Sequence, residues 1–123
     1  MAKILMVDDD REFLEASKAV LLDKGHQVIL TENVSQAEKK IKEEKPDMIF
    51  LDVMMEAPDD GIVFAHKLKK QKINIPIVML SAIGKVTGYS HNRCDEVMPC
   101  DGFLEKPISP KSLLNKIEKV LSK

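Results

Sequence analysis

The stretch Met48-Ile49-Phe50-Leu51-Asp52 decides the fold, with four apolar residues in a row closed by a carboxylate. Alternating polarity marks a strand with one wet face, whereas a short unbroken apolar run marks a strand covered on both faces. Working outward, the same form recurs. Lys3 to Val7 leads into Asp8-Asp9-Asp10, Pro76 to Leu80 into Ser81, and Gly102 to Glu105 into Lys106. With Asp47 to Leu51 at the centre and a further run over Gln27 to Thr31, five strands are expected. Helical periods lie between them. Phe13, Ala16, Val20 and Leu21 share a face, and Gly25 stands where a left-handed terminator belongs. Val34, Ala37 and Ile41 mark a second helix, opened by Asn33 with Gln36 three residues on as a variant capping box. Ile62, Ala65 and Leu68 mark a third. The last carries Leu113, Leu114, Ile117, Val120 and Leu121 behind Ser109 as N-cap and Pro110 as first helical residue.

Strands and helices alternating end to end, with no repeat or linker, imply an α/β fold. The form expected is a flavodoxin-like doubly wound parallel sheet in the order 2-1-3-4-5, with helices on both faces. A fourth helix, due between the fourth and fifth strands, is interrupted by Gly84, Gly88, Ser90, Asn92 and Pro99. Residues 84–100 therefore read as a short or irregular helix, or a loop.

The 123 residues, 44% hydrophobic, fit one domain over 1–123, with no output domain expected. A chain of this size buries roughly two-thirds of its unfolded surface and needs no disulfide or structural metal for a core. Nineteen basic against 20 acidic residues leave a net charge of -1, so no global charge attracts nucleic acid or anionic lipid. The apolar run before Asp8 is too short for a signal peptide or a membrane span, which reads as cytoplasmic. Cys94 and Cys100 read as thiols, and with His91 they match no standard zinc spacing. Lys111, Lys116, Lys119 and Lys123 form a stripe on the final helix, read as a solvated face or a protein-docking surface.

In a doubly wound sheet, sites lie beyond the carboxyl ends of the strands. Four strands deliver acid, acid, hydroxyl and amine to that edge: Asp8-Asp9-Asp10, Asp52, Ser81 and Lys106. Each has a plainer reading. Asp10 or Asp9 suits a helix cap, Asp52 and Lys106 suit turns, and Ser81 suits a loop start. Capping cannot use all three aspartates, and the joint placement favours chemistry. Clustered carboxylates repel, and a hard divalent cation with oxygen ligands relieves them, Mg2+ being the natural choice. Such an ion takes further ligands from phosphate, and a neighbouring carboxylate can act as nucleophile to form an acyl phosphate. Asp52 is the central candidate.

On these residues the chain resembles the receiver domain of two-component response regulators. The matching positions are Asp8-Asp9, Asp52 in Leu51-Asp52-Val53-Met54-Met55, Asp60-Gly61, Ser81-Ala82, and Phe103 with Lys106-Pro107. The resemblance implies that Asp52 accepts phosphate from a histidine kinase or histidine phosphotransfer protein. It implies that Asp8, Asp9, Asp52 and the backbone carbonyl of Met54 hold Mg2+, directly or, for Asp8, through water. Lys106 would pair with the carboxylate and then the phosphate. Ser81 would turn its hydroxyl to the phosphate, and Phe103 would fill the space vacated beneath it. Partner binding would change around the fourth and fifth helices, and the chain would turn over no separate substrate.

Three features depart from the family pattern. The loop from Asp52 to Gly61 is one residue longer, with Glu56 where proline commonly follows the two methionines, which brings Glu56, Asp59 or Asp60 into consideration near the metal. The stretch from Ser81 to Lys106 is about three residues longer. Met54, two after the acceptor, cannot orient an attacking water by a strong hydrogen bond, so slow self-dephosphorylation is expected; its bland role is packing. Among rivals, an aspartate-nucleophile phosphohydrolase wants an acid at position 54 and a cap domain. A flavin-binding electron carrier wants small residues, not three aspartates, after the first strand. A receiver-like module that never takes phosphate fits less well, since the motif positions are all present.

Overall fold

Successive side chains of a strand point to opposite faces, and that split organises this core. The computed structural model describes residues 2–52, 60–82, 101–106 and 108–121. Its strands are β1 (Lys3–Val7), β2 (Gln27–Thr31), β3 (Met48–Asp52), β4 (Ile77–Ala82) and β5 (Gly102–Lys106). They form one parallel sheet in the order β2-β1-β3-β4-β5, as expected. The helices among the described residues are α1 (Arg11–Asp23), α2 (Val34–Glu44), α3 (Asp60–Lys70) and α4 (Pro110–Leu121). The helix questioned between the fourth and fifth strands, the Met54 loop and the His91, Cys94 and Cys100 group lie outside the described residues.

Leu5, Val7, Ile49, Leu51, Ile77 and Met79 face Ala37, Ile41, Ile62, Phe64, Ala65 and Leu68 of α2 and α3. Ile4, Met6, Met48, Phe50, Val78 and Leu80 face Leu14 and Leu21 of α1 and Leu113, Ile117 and Val120 of α4. The central strands β1 and β3 are thus enclosed on both sides, which is why they read as unbroken apolar runs.

Several expectations need correction. Of the four residues expected on the buried face of α1, Leu21 is buried and Phe13 and Val20 pack against the core, whereas Ala16 is exposed and Leu14 and Ser17 are buried. Ala16 lies at the edge of that face, where a small side chain gives up little by exposure. Leu121, the last residue of α4, is also exposed. Strand β3 starts at Met48, because Asp47 serves another purpose: its Oδ2 accepts from the Lys3 amide at 2.8 Å and its amide donates to the Lys3 carbonyl. Asp101 repeats the device before β5, gripping Ile77 at the start of β4 through its carboxylate and amide. Strand β4 starts one residue late and runs on through Ser81 and Ala82, and β5 includes Lys106.

The helix ends follow their sequence signals. Asn33 Oδ1 accepts from the Gln36 amide, and Gln36 Oε1 accepts from the Glu32 amide. Ser109 Oγ accepts from the Ser112 amide ahead of α4. Beyond α1, the His26 amide donates to the Leu21 carbonyl and the Gly25 amide to the Leu22 carbonyl, with Gly25 at φ 85°. That pair of bonds is a Schellman motif.

Lys45, which ends α2, adopts φ 47° and has no glycine's freedom to do so. Left-handed backbone costs an L-residue about 1–2 kcal/mol. The two positions should therefore respond oppositely. Gly25→Ala is expected to lower unfolding free energy by about 1 kcal/mol and Lys45→Gly to raise it by about 0.5 kcal/mol. Urea titrations with an unchanged slope and shifted midpoint would show both.

Candidate functional site

The acidic edge is built by register. Val7 and Leu51 are partners across β1 and β3, so the next residues, Asp8 and Asp52, reach the carboxyl edge at the same level. Neighbouring strands lie about 4.8 Å apart, which sets the spacing of groups carried side by side. Asp8, Asp9 and Asp52 each offer a carboxylate oxygen within 4.8 Å of the others. Asp8 is 0% exposed and Asp52 5%, whereas Asp9 is open to solvent. The site therefore has a buried floor of two carboxylates and a third at its mouth.

Hydrogen bonds fix the Asp8-Asp9-Asp10 turn. The Asp8 amide donates to the Thr31 carbonyl at 3.1 Å, and Asp8 Oδ1 accepts from the Asp10 amide at 2.9 Å, while Oδ2 is buried. Asp10 Oδ1 accepts from the Phe13 amide at 3.2 Å, making Asp10 the N-cap of α1. The plain capping reading holds for Asp10 and leaves Asp8 and Asp9 to the cluster.

A test of fit for a divalent cation rests on this donor set. Three converging carboxylates are all-oxygen, hard and mutually repulsive, and the two buried ones cannot be relieved by bulk water. A cation with oxygen ligands suits them, and the described residues would supply up to three of its ligands. Ser81 and Lys106 are placed by their main chain at the carboxyl ends of β4 and β5, with Ser81 opposite Glu105 and Ala82 opposite Lys106. Phe103 is paired with Met79, half-buried, and packs against the α2 and α3 side of the core. The backbone carbonyl assigned to Met54 belongs to the loop beyond the described residues, as do Glu56 and Asp59. Asp60 is the first residue of α3.

The sequence family model for the response regulator receiver domain matches residues 4–118. The chain belongs to that family. It is 34% identical over 123 residues to the alkaline phosphatase synthesis transcriptional regulatory protein PhoP of Bacillus subtilis, covering 97% of this chain and 48% of that protein. It is 34% identical over 124 residues to the phosphate regulon transcriptional regulatory protein PhoB of Pseudomonas aeruginosa, covering 96% and 51%. The chain thus spans about half the length of these curated relatives. Among solved structures, a Francisella response regulator receiver domain superposes with TM-score 0.83 at 27% identity, covering 99% of this chain and 98% of that one. The NtrX receiver domain of Brucella abortus gives 0.82 at 26%, covering 98% of each. Among the described residues, no helix is long and apolar enough to cross a membrane.

One residue beside the site was missed in the sequence. Thr31 is buried at the end of β2, and its Oγ1 donates to the Met6 carbonyl at 2.9 Å. Its signal was available: it ends a strand on the parity of Ile29, a core position holding a hydroxyl.

The cap predicts a division of roles among the aspartates. Asp10→Ala should cost about 1 kcal/mol of stability, with Asp10→Asn retaining most of it, since Asn caps nearly as well. Thermal unfolding of the two variants checks this.

Proposed function

We propose that this receiver is a phosphorylation-activated switch of a two-component system or phosphorelay, with Asp52 as phosphoacceptor. The observation that carries the reading is the meeting of Asp8, Asp9 and Asp52 at one point of the sheet edge, in a chain of this family. Mg2+ would be held by Asp8, Asp9 and Asp52, joined by the Met54 carbonyl that the family resemblance implies, and would supply charge neutralisation for phosphoryl transfer.

The donor is a phosphohistidine on a histidine kinase or phosphotransfer protein. An oxygen of Asp52 attacks phosphorus in line. The P–N bond breaks, the donor imidazole leaves with its electron pair and takes up a proton, and an acyl phosphate forms on Asp52. Lys106 neutralises the carboxylate beforehand and the phosphate afterwards. Ser81 donates its hydroxyl to a phosphate oxygen. Phe103 turns inward beneath it, burying the part of its ring that is now exposed. These contacts exist in only one of two packings and so shift the population between them.

The chain catalyses its own phosphorylation and dephosphorylation only. Its output is altered binding to a protein partner on the surface that carries β5 and α4. The whole chain's net charge of -1 offers no general attraction for nucleic acid. A cytoplasmic site of action is part of this proposal.

Incubation with a small phosphodonor such as acetyl phosphate and Mg2+ should add the mass of one phosphate, which hydroxylamine removes. Chelation of the metal should suppress the gain. An equal gain in Asp52→Asn, or none in the wild type, would sink the reading.

The lifetime of the product gives a second test. With Met54 two residues past the acceptor, loss of the acyl phosphate should be slow, and Met54→Asn should hasten it several-fold by orienting a water. An unchanged decay, followed by mass spectrometry after donor removal, would remove Met54 from the account.

A further inference from the structure

Thr31 holds β1 on both sides of Val7. Its hydroxyl donates to the Met6 carbonyl at 2.9 Å, and its own carbonyl accepts from the Asp8 amide at 3.1 Å. Val7 between these points is its register partner. The threonine is 2% exposed, so its hydroxyl must find its partner within the protein. Beyond it the chain of bonds continues without a gap. Asp8 Oδ1 accepts from the Asp10 amide, and Asp10 Oδ1 accepts from the Phe13 amide in the first turn of α1.

We propose that Thr31 is a positioning residue for the cation site, its hydroxyl setting where the main chain of Asp8 and Asp9 leaves the sheet. The inference rests on the cation-dependent reading given above and adds a residue to it.

Asp8 and Asp52 repel each other, and β1 can relieve that repulsion by shifting its last residues away from β3. On its other side β1 meets β2, and Thr31 ends that strand. A hydroxyl bond to the carbonyl of Met6 ties the tip of β2 to β1 two residues before the carboxylate. The tie thereby resists a displacement of the tip as well as a lateral opening. Packing alone does not require a hydroxyl here. Ile29, two residues earlier on the same strand, packs as a hydrocarbon against the core shared with α2 and α3. Valine has nearly the shape of threonine and favours strands as strongly. Thr31→Val therefore removes the tie and little else.

Isothermal titration of the full chain with Mg2+ and with Mn2+ tests this, alongside thermal unfolding without added metal. Groups that orient metal ligands from behind typically contribute about ten-fold or more to affinity. Thr31→Val is expected to weaken binding of both ions by about ten-fold. Thr31→Ser, which keeps the hydroxyl and loses the methyl, should bind within about two-fold of wild type even where its melting temperature falls, the ten-fold effect belonging to the hydroxyl alone. Wild-type affinity in Thr31→Val overturns the proposal, as does equal weakening in Thr31→Ser. A wild-type chain that binds neither ion overturns the cation-dependent reading itself and this inference with it. Should Thr31→Val fail to fold, Thr31→Ser decides: affinity retained despite lowered stability supports the hydroxyl, and affinity lost overturns it.

Discussion

Asp8 and Asp52 stand side by side because Val7 and Leu51 are register partners, and both carboxylates are buried where water cannot screen them. Like charges at that spacing push the ends of β1 and β3 apart. The apolar faces on either side of the sheet oppose that push. Leu5, Val7, Ile49 and Leu51 pack against one pair of helices and Met6 and Phe50 against the other, so neither strand can move without opening a core. The site is thus a cluster of like charges held in place by a well-packed sheet. That concentration of carboxylates is the feature on which the proposed cation and phosphoryl group would act.

The three consecutive aspartates illustrate how one turn distributes its charges. Asp8 turns inward and receives the Asp10 amide, Asp9 remains at the surface, and Asp10 turns to the first turn of α1. Helix start and acidic cluster therefore share a backbone segment of three residues. An acid at the helix N-terminus is favoured by the local dipole and free amides whatever the occupancy of the site. That arrangement keeps one of the three charges satisfied at all times and reduces the repulsion that the other two must bear.

Most of this was legible in the sequence for a physical reason: strands enclosed on both faces have no option but continuous apolar runs, and these end in the residues that reach the edge. Met48 to Leu51 and Lys3 to Val7 located Asp52 and Asp8 directly. The helix caps at Asn33, Ser109 and Gly25 were legible because each depends on neighbours within a few residues. What was illegible depends on distant partners. Asp47 meets Lys3 from 44 residues away and Asp101 meets Ile77 from 24, so no local pattern betrays them. Thr31 reads as an ordinary strand residue until Met6 is seen beside it. On α1 the face was legible from Phe13, Val20 and Leu21, but Ala16 and Ser17 carry too little surface to declare a side. Leu14 decides it only once the sheet is present.

The two aspartates that precede β3 and β5 have a consequence for the opposite end of the molecule. Each seizes the first residue of a neighbouring strand, Asp47 that of β1 and Asp101 that of β4. An extended strand is nearly inextensible, so a measurement made at one end is carried to the other, about 15 Å away over five residues. The sheet behaves as a set of rulers zeroed at its lower edge and read at its upper one. A slip of one residue at the zero would turn Asp8 or Asp52 away from its fellow and bring every apolar side chain to the wrong face. The accuracy of the acidic site is thereby guaranteed from the far side of the protein, by residues that never approach it.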